Sequence, residues 1–264
     1  MFRKYLRLYK KFLAQYLKIL MEYKTDFIIG LFGFFVVQIT GIVFLCLVFQ
    51  RIPTLNGWSF NEILFIYGFA QLPRGIDHLF TDNLWLLSGR IIVRGDFDRY
   101  LLRPINPLFH LIAEVFQPDA FGELIVGIIL VITSISKLHL TFTLLNVLTF
   151  VFVLICGSII YTSIKLFFAS FAFWVKNSQS ILFVTYSISD FAKYPLGIYS
   201  KPVQGIMTFI IPFAFTAFFP ASYFIGKVNA QVAIGGTFIA TVISFAIAYT
   251  TWLLGIKAYE SAGN

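Results

Sequence analysis

The sequence predicts an all-α integral membrane protein, with six transmembrane helices, an N-terminal amphipathic helix lying in the interface, and a re-entrant helical segment before the last span. Three observations carry this. Of 264 residues, 59% are hydrophobic and only 12% are charged, far more apolar surface than a globule of this length can hide from water. The apolar residues come in runs long enough to cross a hydrocarbon core about 30 Å thick, which takes roughly 20 helical residues. The 33 Phe and 13 Tyr are spread along the chain instead of alternating with polar residues in short strands, as a membrane barrel requires.

Residues 1–26 form the first unit. Phe2, Tyr5, Leu6, Tyr9, Phe12, Leu13, Tyr16, Leu17, Leu20 and Met21 recur at helical spacing, with Arg3, Lys4, Arg7, Lys10, Lys11 and Lys18 between them. A helix so patterned lies along a membrane surface, where each cation near anionic lipid contributes about 1 kcal/mol. It is charged throughout and has no small-residue cleavage site, so it does not read as a removable signal peptide.

Residues 27–264 form the membrane domain. Six apolar segments fall near 27–49, 62–87, 108–135, 144–175, 181–199 and 232–254. A seventh, 203–225, is interrupted by Pro212 and Pro220 and either spans or enters and leaves on one side. Charge favours the second. With a cytoplasmic N-terminus and six spans, thirteen basic residues lie inside (Arg3, Lys4, Arg7, Lys10, Lys11, Lys18, Lys24, Arg90, Arg94, Arg99, Arg103, Lys176, Lys257). Five lie outside (Arg51, Lys137, Lys193, Lys201, Lys227), as the positive-inside rule asks. Both termini are then cytoplasmic and the chain is expected in the cell membrane. The net charge of +8 lies beside apolar spans, so anionic lipid head groups are the expected partner and nucleic acid is not. Cys46 and Cys156 sit in apolar runs and read as small hydrophobes.

The connection between the second and third spans reads RIIVRGDFDRYLLRPINPL from Arg90. Gly95 is a break and Asp96 an N-cap candidate. Phe97, Tyr100 and Leu101 fall on one face of a short helix, Asp98, Arg99 and Arg103 carry charge elsewhere, and Pro104 and Pro107 end it. Such a helix along the membrane surface suits capture by a soluble partner.

At these residues the chain resembles the ABC-2 type permeases, in the branch with a Gly-x-x-Asp-x-x-Leu-x-Arg-Pro-x-x-Pro segment, here Gly95, Asp98, Leu101, Arg103, Pro104 and Pro107. The fifth span adds a Phe-x-x-Tyr-Pro-x-x-Ile-Tyr pattern at Phe191, Tyr194, Pro195, Ile198 and Tyr199, and IIPFAFTAFFPA resembles the family's re-entrant segment. The resemblance implies an exporter permease whose residues 95–103 form a cytoplasmic coupling helix docking on a separate ABC ATPase. It also implies a second permease chain, identical or paralogous. No G-x-x-x-x-G-K-[ST] phosphate loop, H-E-x-x-H or C-x-x-C is present. The chain is therefore expected to be no enzyme and to hold no cofactor or metal, ATP and Mg belonging to the partner.

Ionisable residues at membrane depth suggest function. Arg74 and Asp77, at i and i+3 after Pro73, are placed for a local ion pair that either eases insertion or lines the transport path or subunit contact; His78 and Asp82 lie close by. His110 and Glu114 at i and i+4 are two metal-ligand types without a third. Asp119 and Glu123 are like charges one turn apart, one of them protonated or paired with Arg74 or Lys165. Asp190, Tyr194, Pro195 and Tyr199 complete the path candidates. Pro73, Pro118 and Pro195 mark possible bends, and Pro212 and Pro220 a candidate outer gate. An amphiphilic cargo (drug, lipid or peptide) suits the aromatic content. The alternatives are an ion-coupled transporter or channel working without ATP, and a polytopic lipid-modifying enzyme.

Overall fold

The computed structural model describes residues 2–22 and 24–261. Among the described residues thirteen α-helices follow in order: α1 Phe2–Glu22, α2 Lys24–Phe49, α3 Phe60–Thr81, α4 Asn83–Leu86, α5 Asp98–Leu101, α6 Pro107–Glu114, α7 Phe121–Lys137, α8 Leu144–Ser170, α9 Ala172–Val175, α10 Gln179–Ser187, α11 Lys201–Gly205, α12 Phe218–Phe224 and α13 Gly236–Ala258. There is no strand among them. Together with the apolar composition this makes the chain an all-α, multi-pass membrane protein.

Among the described residues four helical stretches are long and apolar enough to cross a bilayer: Phe27–Phe49, Pro118–Lys137, Leu144–Val175 and Gln231–Ala258. A fifth is possible if the pair Lys201–Ile210 and Phe213–Phe224, which meet at 76°, counts as one. The expected second span, α3, is long enough, but Gln71, Arg74, Asp77 and His78 dilute its apolar character. The expected fifth span is shorter than the sequence suggests. Its α-helix ends at Ser187 and tightens to 3₁₀ turns over Ile188–Lys193, because the residue before Pro195 is driven out of the helical region, Tyr194 lying at φ −127°, ψ 158°.

The expected third span, 108–135, is also interrupted. Helix α6 stops at Glu114, Val115 is extended, and Gln117 before Pro118 leaves helical space. Residues Pro118–Lys137, which include α7, are long and apolar enough for a crossing, while α6 is a separate short helix, capped by the Asn106 side chain accepting from the Phe109 N–H at 3.0 Å, with Pro107 in its first turn. Pro73 does not interrupt α3.

Helix α3 is the centre of the bundle. It crosses α7 at glycine on both sides: a Cβ on Gly68 would come within 2.6 Å of Leu130 Cβ, and one on Gly127 within 2.7 Å of Leu72 Cδ2. Gly157 of α8 lets Pro73 and Thr216 approach in the same way. The bend between α11 and α12 thus reaches the core, where Phe213, Ala214, Thr216 and Ala217 are fully buried.

Connections segregate to two ends. At one, α1 packs on α6 through Tyr5 and Phe109, ring centroids 4.6 Å apart, and Phe12 and His110. At the same end Ser178 N–H donates to Ser88 O at 2.8 Å, and Phe97 meets Phe173, Trp252 and Tyr259. At the other end Asn56 donates to Gly197 O at 2.8 Å, and Lys227 reaches Gly57 O at 3.0 Å and Glu62 at 2.8 Å. Both flanks of the bent α11–α12 segment therefore touch the same stretch, residues 56–62, which is the loop before α3 and the helix's first turn.

Candidate functional site

Two features gather the residues singled out by sequence. The first is the 95–104 segment. Gly95 adopts φ +73°, a left-handed turn that favours glycine, and one turn of helix, α5, follows. Asp96 does not cap it; the preceding position is Phe97, which is buried instead. Phe97 sits in an aromatic socket, 5.0 Å from Phe173, 5.8 Å from Trp252 and 5.1 Å from Tyr259 between centroids. Tyr100 is buried beside it. Leu101, expected on the same face, points out, 42% exposed, and Leu102 is 84% exposed. Neighbouring helical positions point about 100° apart, so with Phe97 and Tyr100 docked, Leu101 and Leu102 turn away from that surface.

The charges of this segment turn partly inward. Tyr100 OH donates to Glu114, and Arg99 lies 2.9 Å from Glu114 and over the Tyr100 ring. Burial first, then the bond to Glu114, push the Tyr100 phenol up to about 12. Arg103 donates to His110 Nε2 at 2.9 Å, so this ring nitrogen accepts and the imidazole is neutral. Burial, reinforced by Arg103, holds the His110 pKa below its ordinary value. Asp98 accepts from Ser261 at 2.5 Å. Pro104 follows α5 in the turn leading to α6. His110 and Glu114 are thus engaged with Arg103, Arg99 and Tyr100, and the described residues contain no group of three or more metal-ligand side chains.

The second feature is a cleft of about 440 Å³ lined by Gly30, Gly33, Phe34, Val37 and Gln38 of α2 with Arg74, Glu123, Asp190 and Lys193. Arg74 and Asp77 do not pair, contrary to their i, i+3 spacing. Arg74 reaches Asp190 at 2.6 Å and Glu123 at 3.7 Å, whereas Asp77 takes Lys165 of α8 at 2.8 Å. The two side chains leave α3 about 60° apart, enough to face different neighbours. Glu123 also meets His78 at 3.1 Å; of the alternatives left open for Asp119 and Glu123, the structure brings Glu123 to Arg74, while Lys165 goes to Asp77 and Asp82. Asp119 bonds to Gln117 and stands beside Gly30.

Tyr186 joins the charged clusters. Its hydroxyl donates to Asp77 at 2.8 Å, His78 stacks on its ring, and Arg74 and Lys165 lie near its faces. Lys193, counted from sequence as an external loop lysine, bonds instead to Asp190 at 2.7 Å. Its place three residues after Asp190 was the available signal; Tyr186 carried none. Tyr194 packs on Tyr67, Tyr199 OH donates to Phe191 O at 3.1 Å, and Pro195 ends the 3₁₀ segment. Pro212 occupies the 76° bend, and Pro220 is buried in α12.

Residues 35–263 match the family described as ABC-2 family transporter protein. The chain belongs to the ABC-2 transporter family. The match covers nearly all of the membrane domain, so this is a multi-pass permease of the ABC-transporter type, a transport subunit rather than an enzyme in itself. ABC-2 permeases work with ABC ATPases. No curated protein and no solved structure matches this ABC-2 chain in the corresponding comparisons.

Proposed function

We propose that this permease is the membrane-spanning half of an ATP-driven exporter in the cell membrane, moving an amphiphilic substrate outward by alternating access while a separate ATPase binds ATP and Mg. The observation that carries the reading is the 95–104 segment. It is anchored in the bundle by Phe97 and Tyr100 yet offers Leu101, Leu102 and the half-exposed Arg99 to a partner. A push there is passed through Phe97 to α9 and α13, and through Tyr100 and Glu114 to α6.

On this reading the chain has six spans, counting α3 and the short α10 segment, with both termini cytoplasmic. Helix α1 lies in the interface on anionic lipid, and the α11–α12 pair is re-entrant, with Pro212 and Pro220 at the outer gate. The contacts of both its flanks with residues 56–62 support this. Two permease chains, identical or paralogous, enclose a path on the face carrying Arg74, Asp190, Tyr194, Pro195 and Tyr199. The Asp77–Lys165 pair locks α3 to α8 behind it. Inverting a 1:99 population of two states takes about 5.5 kcal/mol, within reach of nucleotide clamping between ATPase subunits.

The test is to purify the chain from its native membrane in mild detergent and identify its companions by mass spectrometry. An ABC ATPase in near-equal amount supports the proposal, and a second permease sequence gives the composition of the pair. A chain recovered alone, and active in proteoliposomes without nucleotide, overturns it in favour of the ion-coupled reading that buried charges such as Lys165 would serve.

A further inference from the structure

We propose that the cleft between α2, α3 and residues 188–193 binds the ammonium group of a cationic amphiphile, with Asp190 as the group that meets it. This deepens the transport reading, on which it rests for its purpose, by naming a class of substrate.

The charge a visitor encounters there is a carboxylate. Both bonds to Asp190, from Arg74 and from Lys193, end on Oδ1; Oδ2 takes neither. The Asp190 side chain is 52% exposed, against 16% for Arg74, 11% for Lys193 and 2% for Glu123. The cations are turned inward and already neutralised, Arg74 by Glu123 and Asp190 and Lys193 by Asp190, so an anionic head group would have to evict a carboxylate, while an ammonium only has to approach one. Asp190 is paired through Oδ1, but its Oδ2 edge, which takes neither bond, is left as an outward-facing acceptor, and a polar atom at membrane depth is costly until a donor meets it.

The walls suit the rest of such a molecule. Phe34 and Val37 are apolar, and a Cβ built on Gly33 meets nothing within 4 Å, leaving a notch along α2 for an alkyl chain. Gln38, whose Oε1 already accepts from Tyr67 OH at 2.9 Å, adds a second hydrogen-bond acceptor to the lining. The volume, about 440 Å³, is that of a small-ligand pocket and takes a head group with its first methylenes.

The experiment uses the purified chain in a neutral detergent and measures equilibrium binding of radiolabelled dodecylamine, dodecyl sulfate and dodecanol. The expected result is saturable binding of the amine, about tenfold or more tighter than the other two, reduced at least as much by Asp190→Asn. Because that change also releases Arg74 and Lys193, Gly33→Phe is the second variant. It fills the notch without touching an ion pair, and abolishes amine binding without lowering the thermal unfolding midpoint. Equal or tighter binding of the sulfate overturns the proposal. So does amine binding indifferent to both variants, or a chain that is dimeric in detergent with Asp190 covered by the second copy and no amine bound. The assay contains no ATPase and no nucleotide. Amine binding by a chain that copurifies with no ATPase would sink the exporter reading and leave the site standing, and the converse result would do the reverse.

Discussion

Lys165 Nζ lies 2.8 Å from Asp77 Oδ2, and neither side chain has any exposed surface. The same carboxylate accepts from Thr81, Thr162 and Tyr186, so one charge of α3 is held by α8 and α10 together. Removing a single partner of a buried pair leaves the other charge uncompensated, at about 3–5 kcal/mol. Lys165→Met is expected to destabilise the chain in detergent by this amount in reversible unfolding, and Lys165→Met combined with Asp77→Asn to recover at least half of it. Equal losses in the single and double variants would falsify the coupling.

The α3–α7 crossing depends on the absence of side chains. Gly68→Ala places a methyl 2.6 Å from Leu130 Cβ and 3.1 Å from the Val131 backbone nitrogen, and overpacking of this kind costs about 1–3 kcal/mol. Gly33→Ala has open space around it and should gain up to about 1 kcal/mol from helix propensity. Thermal midpoints of the two variants should move in opposite directions.

His110 makes the α5–α6 junction sensitive to acid. Its pKa is lowered in the folded chain, by burial and by Arg103, so the folded state prefers the neutral ring. Above the ordinary histidine value of about 6.5 the ring is neutral whether docked or not, and the contact is at full strength. As the pH falls below that value the undocked segment takes up the proton first, and stability is lost until the folded pKa is reached. Amide protection in α6, taken relative to the intrinsic exchange rate at each pH, should fall between pH 7.5 and pH 5.5, and His110→Phe should flatten this dependence. Unchanged protection across that range would dispose of the assignment.

Partner docking should follow exposure rather than the sequence motif. Asp98 and Arg103 are occupied by Ser261 and His110, whereas Leu102 projects freely. Leu102→Asp is expected to leave thermal stability within about 0.5 kcal/mol and to lower ATPase recovery at least about tenfold, as loss of an apolar anchor does. Undiminished recovery would move the docking surface elsewhere.

Long uninterrupted apolar runs were the legible part of this chain. Predicted spans at 27–49, 144–175 and 232–254 lie within two or three residues of Lys24–Phe49, Leu144–Val175 and Gln231–Ala258 at most boundaries. Apolar content alone misread 108–135 and 181–199, because it runs straight through Pro118 and Pro195 while the backbone before each proline does not. The charged residues were legible as a set and not as pairs. Arg74 chose Asp190, 116 positions away, over Asp77, since tertiary packing delivers Lys165 to Asp77 and Asp190 to Arg74. Tyr259 and Ser261, which close over the 95–104 segment, have no local signature because their role exists only once α13 is in place.

That last contact has a consequence in time. Phe97 and Tyr259 are 162 positions apart, and translation at about 5–20 residues per second separates their emergence by roughly 8–32 s. During synthesis the aromatic socket stands open on that side, with Phe97 lacking Tyr259, Trp252 and Phe173 in turn. If residues 95–104 are the docking surface proposed above, that surface is finished only when α13 is in place, so a partner that recognises it would bind newly made chains late and ignore those stalled part-way through insertion.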